Sequence, residues 1–280
     1  MRLAGGRRPE PSPLRFEVLG QRLDGRLIGP GPGDAPTIVF LHQGLGCEGM
    51  WRDFPDHMAS ATGCGALVYS RIGHGASEAL RGPRSIRYMH DEGLKVLPAV
   101  LAHFGIGEVI LFGHSDGASI AILYAGSGEE RPGGQCVVRA LVLEAPHVFV
   151  EAEALEGIRR ISREYETTSL KERLARHHGN NTDSMFRAWA DVWLRPEFRE
   201  WNIEGSLPSI ESPVLVIQGE DDEYGTARQV ESVVKGVRGP ARFLLLAHCG
   251  HSPHSERPEE VLDAASRFVR ERLEPAGHPV

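Results

Sequence analysis

Short apolar runs recur along the chain, each closed by glycine, histidine, proline or polar residues. They are TIVFLHQG (37–44), GALVYSRIG (65–73), EVILFGHS (108–115), RALVLEAP (139–146), SPVLVIQG (212–219) and ARFLLLAH (241–248). Runs this short and this rich in Val, Ile and Leu predict strands buried on both faces of a parallel sheet. PLRFEVLGQRLDGRLIGPG (13–31), with Asp24-Gly25 in its middle as the turn signal, predicts an antiparallel hairpin leading that sheet. Between the runs the period changes. SIRYMHDEGLKVLPAVLAHFGI (85–106) places Met89, Leu94, Leu97 and Leu101 at helical intervals, with a kink expected at Pro98. RPEEVLDAASRFVRERL (257–273) has proline in its first turn, acids just after it and basic residues at its end, the start and stop signals of a helix. Alternating strands and helices predict an α/β fold with a doubly wound, mostly parallel sheet and right-handed crossovers.

One interval breaks this rhythm. From about Pro146 to Ser212 there is no strand signal, only helical stretches such as AEALEGIRRISREYE, SLKERLARHH and DSMFRAWADVWL. That is too long for a loop within a compact domain and predicts an inserted helical cap over 147–211, with the core formed by 13–146 and 212–280. The cap is rich in aromatics (Tyr165, Phe186, Trp189, Trp193, Phe198 and Trp201), some of which are expected to line a pocket.

Composition narrows the function classes. At 280 residues the chain can bury a full core without disulfide or metal staples. A formal net charge of -7 argues against a general nucleic-acid binder, which needs a basic footprint. Cys47, Cys64, Cys136 and Cys249 are scattered without a C-x-x-C pair, so they read as small buried thiols in a reducing compartment. MRLAGGRRPEPSPLRF has no apolar signal segment, and no stretch approaches a membrane span; residues 1–12 read as a flexible tail. A cytoplasmic protein acting on a small-molecule substrate is expected, without nucleic-acid or membrane partners and with a homodimer possible.

The chemistry concentrates in three places. Gly113-His114-Ser115-Asp116-Gly117, between a strand and a helix, has the G-x-S-x-G form of a nucleophile elbow, in which serine sits on a strained turn too tight for side chains at its neighbours. A serine hydroxyl needs a base. His248, His251 and His254 lie between the last strand and the last helix; His251, in the loop itself, is the favoured base, and the spacing of the three matches no standard zinc pattern. The acid that orients the histidine is expected in QGEDDEYG, at Asp222, with Asp221 as runner-up. The order Ser115, Asp222, His251 is that of a catalytic triad in this type of fold. An oxyanion needs two N–H donors: one from Asp116, the other from Gly44 or Leu45 in the loop after the first parallel strand. His42 reads as a structural hydrogen-bonding residue. Gln43, Asp116, Trp189 and Trp193 are the expected substrate contacts, and neither metal nor cofactor is expected.

Over nearly its whole length, from FLHQGLG through GHSDG and QGEDD to CGHSPHSERPEE, the chain resembles an α/β-hydrolase-fold serine hydrolase. GHSPHSERPEE is similar to that family's G-H-x-x-H-x-E-x-P ending and places the base at His251. Two departures stand out: His42-Gln43 where the family has His-Gly, and Ser70 where a common pattern has an acid before Arg71. The resemblance implies cleavage of an ester, lactone, thioester or amide. C–C bond hydrolysis and a catalytically weak ligand-binding role are the alternatives. The G-x-S-D-G elbow itself resembles the biphenyl-hydrolase-like group, some members of which cleave amino-acid esters, implying an amine partner for Asp116; the alternative is that its charge favours the N-terminus of the elbow helix.

That aspartate poses a problem of its own. A carboxylate facing an oxyanion at ~4 Å would cost roughly 4 kcal/mol at an effective dielectric near 20, enough to cancel one oxyanion donor. Its side chain must therefore point away or stand beside a cation.

Overall fold

The computed structural model describes residues 14–128 and 136–273; the expected tail at 1–12 lies outside them. The strands are β1 (Leu14–Val18), β2 (Gln21–Ile28), β3 (Thr37–Leu41), β4 (Gly65–Ser70), β5 (Glu108–His114), β6 (Val137–Glu144), β7 (Val214–Gly219) and β8 (Ala241–Leu246). They form one eight-stranded sheet in the order β1-β2-β4-β3-β5-β6-β7-β8. The β1–β2 and β2–β4 pairs are antiparallel, and β4, β3, β5, β6, β7 and β8 run parallel.

The leading hairpin is present, but it turns at Leu19-Gly20, not at Asp24-Gly25. Leu19 (φ 52°) and Gly20 (φ 70°) form a two-residue turn with both central φ angles positive, which matches the twist of the strands it joins. Gly25 lies inside β2 for another reason: a Cβ there would sit 2.5 Å from the Val68 carbonyl oxygen. The glycine marks a close approach to β4 rather than a turn.

Buried strands with period-2 side chains supply both faces of the core. Val39, Leu41, Leu111, Leu143 and Val216 point into one layer. There they meet α3 (Leu97–His103), α4 (Asp116–Ala125) and α8 (Ala227–Gly236). Ile38, Phe40, Phe112, Val142 and Ile217 point into the other, against α1 (Phe54–Thr62) and α10 (Pro258–Leu273). β8 departs from the expectation of burial on both faces. It is an edge strand, and Phe243 and Leu245 are exposed.

The helix expected over 85–106 is a composite. α2 (Tyr88–Asp91) passes through a π turn at Glu92–Val96 into α3. Pro98 lies in the first turn of α3, so the wide turn precedes the residue that lacks an N–H. Between β6 and β7 come α5 (Ala152–Thr167), α6 (Leu170–His178) and α7 (Thr182–Leu194). The last turns of the chain include α9 (Pro253–Glu256), just before α10. The α5–α7 segment is tied to the loops beneath it. His178 accepts from the Gly75 N–H at 3.0 Å and donates to the Leu45 carbonyl at 3.1 Å, while Asn181 donates to Gly75 and Ser77.

Since β3 neighbours both β4 and β5, the winding direction reverses between β3 and β5. The carboxyl ends of parallel strands at such a reversal leave a crevice, and ligands bind there in open α/β sheets. His42–Gly46, Ser115, Asp222 and His251 all follow carboxyl ends of these strands. Of the cysteines, Cys47, Cys64 and Cys249 are buried as expected, but Cys136 is only half-buried.

Candidate active site

β5 ends at His114, and α4 starts at Asp116, so Ser115 alone makes the corner, with φ 54° and ψ -116°. A β-carbon on Gly113 would meet Gly117 and Ala118 backbone within 2.6 Å, and one on Gly117 would lie 1.9 Å from the Leu41 carbonyl oxygen. Sterics therefore demand both glycines, and a non-glycine residue is held at positive φ between them. Ser115 faces a cavity of about 400 Å³.

His251 and Asp222 share that end of the molecule. The imidazole Nδ1 lies 2.8 Å from Asp222 Oδ1 and 2.9 Å from Oδ2, and His251 lines the same cavity as Ser115. Asp222 is fixed from two more directions, by the Gln218 amide at 2.6 Å and the Tyr224 N–H at 2.8 Å. Burial alone would push the His251 pKa down, but the charge and hydrogen bond of Asp222, with Glu223 and Asp116 adding to them, hold it above its ordinary 6.5. Burial opposes ionisation of Asp222 as well, and there too the histidine prevails, keeping its pKa below the ordinary value. Asp221, the alternative acid, is exposed, and its N–H donates to the Cys249 carbonyl. His248 is also exposed.

The loop carrying His251 is pinned by residues that the sequence reading did not assign. His114 donates from Nε2 to the His251 carbonyl at 2.7 Å; burial drives its pKa well down, so it donates as a neutral imidazole. Glu144, at the end of β6 and wholly buried, accepts from the His254 N–H at 2.7 Å and from its Nδ1 at 2.6 Å. Glu256 accepts from the N–H groups of Gly250 and Ser252 at 2.8 and 3.1 Å. His114, Glu144 and His254 offer ligand-type atoms within 4.8 Å of one another. Hydrogen bonds already engage Glu144 with His254, and His114 with the His251 carbonyl. The only sequence cue was glutamate ending an apolar strand.

Replacing Glu144 with Leu leaves the His254 N–H and Nδ1 without an acceptor, and should cost about 2–5 kcal/mol of stability. Urea unfolding measures this; a loss below about 0.5 kcal/mol, the size of an ordinary surface change, contradicts the pinning.

The Asp116 carboxylate has its cation. Its Oδ2 accepts from the Tyr88 hydroxyl at 2.5 Å and stands 3.9 Å from the guanidinium of Arg71, which is fully buried. Arg71 also donates to the carbonyls of His42 (2.6 Å) and Gln43 (3.0 Å), fixing the loop after β3. Trp193 donates to the Tyr88 hydroxyl at 3.1 Å, which joins α7 to the same network. Ser70, standing where the common pattern has an acid, accepts from the Glu48 N–H at 3.0 Å. His42 has the structural role expected of it: Nε2 accepts from the Arg71 N–H and Nδ1 donates to the Gln43 carbonyl.

The two oxyanion candidates after β3 differ. The Leu45 N–H donates to Gln43 Oε1 at 3.3 Å, whereas no such bond engages the Gly44 N–H among the described residues. Gly44 also allows close approach, since a Cβ there would sit 2.1 Å from Trp189 Nε1.

Gln43, Asp116, Trp189 and Trp193 all line the cavity, while Phe186 stacks on Tyr165 and Phe198 on Trp201 as packing. Ala154, Ile158, Ile161, Leu170 and Leu174 from α5 and α6 form its apolar end. His147 completes the polar end; burial lowers its pKa to about 4, so its imidazole is neutral near pH 7. Among the described residues no Lys or Arg lines the cavity.

Residues 38–264 match the profile of the alpha/beta hydrolase family. The hydrolase-named LipZ of Mycobacterium tuberculosis is 24% identical over 267 residues, covering 84% of this chain and 88% of its own. The 2-hydroxy-6-oxo-6-phenylhexa-2,4-dienoate hydrolase of Comamonas testosteroni is 22% identical over 264 residues, covering 86% and 90%. Among solved structures, a thermophilic esterase from Thermogutta terrifontis is similar with a TM-score of 0.67 at 18% identity, covering 94% of this chain and 100% of the other. Similarity at that identity concerns the fold. No helix among the described residues is long and apolar enough to cross a membrane.

Proposed function

The chain belongs to the alpha/beta hydrolase family, and from that premise we propose that it is a serine hydrolase cleaving a carboxylic ester-type bond of a small molecule. The observation that carries this reading is the Asp222–His251 pair, 2.8 Å apart, with His251 on the wall of the cavity that Ser115 also lines from a strained elbow. In this reading Ser115 Oγ attacks the carbonyl carbon while His251 Nε2 takes the hydroxyl proton. Asp222 holds the Nδ1–H tautomer and stabilises the imidazolium. The oxyanion rests on the N–H of Asp116, at the N-terminus of α4, and on the N–H of Gly44, with Leu45 as the neighbouring alternative. Each donor of this kind is worth about 3–4 kcal/mol. The intermediate collapses as His251 gives its proton to the leaving alcohol, amine or thiol. Water, deprotonated by His251, then adds to the acyl-enzyme and releases the acid and free Ser115.

The α5–α7 segment serves as the cap whose aromatic and aliphatic side chains hold the acyl portion. Asp116 is held by Tyr88 and Arg71, so its carboxylate is compensated within the chain, and the reading requires no substrate amine. The dienoate named for the Comamonas relative is a carboxylate, and among the described residues no Lys or Arg lines this cavity to receive one, which favours a neutral ester-type substrate.

Only neutral His251 accepts a proton, and its pKa is raised. As pH falls through that value the base is lost, so kcat/KM for p-nitrophenyl butyrate should fall on the acid side with a midpoint above 6.5. Steady-state rates from pH 5 to 9 check this. Turnover that stays flat to pH 5 would remove His251 from the reaction.

A further inference from the structure

We propose that this cavity selects uncharged acyl groups and rejects acyl groups bearing a carboxylate, with Glu223 and Glu256 setting the preference at its rim; the proposal rests on the hydrolase reading above. The charged residues lining the cavity are Asp116, Glu223 and Glu256, all acidic. Both rim carboxylates stand over the residue before His251: a Cβ on Gly250 would lie 3.2 Å from Glu256 Oε1 and 3.4 Å from Glu223 Oε2. The nearby cations are turned to other work. Arg71 is not part of the lining and donates from Nη1 and Nη2 to the His42 and Gln43 carbonyls, and Arg160 pairs with Glu223 at 3.4 Å from outside the lining. His147, the remaining basic side chain at the polar end besides His251, is neutral near pH 7.

A carboxylate on the acyl chain would therefore leave water for a pocket of Ile158, Leu170, Leu174, Trp189 and Trp193 that, among the described residues, no Lys or Arg lines. Desolvation without a partner is the costly case, and repulsion from the rim adds to it. The same features act on the product. Hydrolysis turns a neutral acyl group into an anion inside this cavity, so the acid is expelled and inhibits weakly.

Two matched comparisons test the proposal. The first is kcat/KM for p-nitrophenyl pentanoate against mono-p-nitrophenyl glutarate, equal in chain length and different in the terminal carboxylate. The neutral ester should be preferred by at least about fiftyfold, the factor expected for like charges roughly 7 Å apart at an effective dielectric near 20. Glu223→Gln and Glu256→Gln should each narrow that ratio severalfold; both carboxylates also support His251, and the ratio between the two esters cancels any change in rate common to both. The second comparison needs no turnover. Tryptophan fluorescence of Ser115→Ala protein, titrated with hexanamide and with hexanoate, should show the amide binding at least about tenfold more tightly. Equal use of both esters overturns the proposal, as does hexanoate binding as tightly as hexanamide, or binding of neither. If both esters resist hydrolysis while hexanamide binds preferentially, the hydrolase reading fails and the selectivity stands.

Discussion

Ser115→Ala is expected to fold normally and to hydrolyse p-nitrophenyl esters about a millionfold more slowly than the native protein, with KM little changed. Ala keeps the Cβ of Ser, so the elbow, with φ 54° enforced by the crowding around Gly113 and Gly117, is sterically undisturbed. The cavity walls are untouched as well, and substrate should still bind. What disappears is the only hydroxyl on the elbow. Stopped assays on the two proteins, with circular dichroism to check the fold, give the comparison; activity within tenfold of native would remove Ser115 from the chemistry.

Asp222→Asn should cost about 10⁴ in kcat, through the histidine rather than through folding. Asp222 can only accept, so Nδ1 must carry the proton and Nε2 is left free to take one from the serine. An Asn amide that turns its NH₂ to the ring reverses this arrangement and puts the proton on Nε2. Loss of the negative charge should also move the acid limb of the pH profile to lower pH, since Asp222 is the chief group raising the His251 pKa against burial. A variant with lower kcat but an unmoved acid limb would mean that Asp222 does not act through His251. The Asn oxygen can still accept from one of the Tyr224 N–H and the Gln218 amide, so thermal unfolding should change less than the rate.

Much of the architecture was legible because strand burial and helical periodicity leave separate marks on a sequence. The apolar runs ending at Leu41, His114 and Gly219 became central parallel strands. Errors arose where one residue type serves two purposes. Asp24-Gly25 has the composition of a turn, but Gly25 is required by the approach of β4, a long-range contact that no local pattern reports. β8 has the composition of an interior strand and lies at the edge of the sheet, because its position depends on topology. At the site, the elbow and the Asp222–His251 pair could be anticipated from spacing and element order. Physics anticipated that Asp116 must point away or stand beside a cation, but only the fold identifies Arg71, which lies beside it through the β4 end. Glu144 and His114 were invisible as a set. They meet the 251–254 loop from two strands distant in sequence, and each alone looks like a polar residue closing an apolar run.

The central claim is that Ser115 forms a covalent acyl-enzyme with His251 as its base. Reaction of the native protein with a fluorophosphonate, followed by proteolysis and mass spectrometry, tests it most directly. The predicted result is one adduct, on the peptide containing Ser115, absent from Ser115→Ala and slowed in parallel with turnover as pH falls. An adduct on any other residue, or undiminished ester hydrolysis by protein that takes up no label, would contradict it.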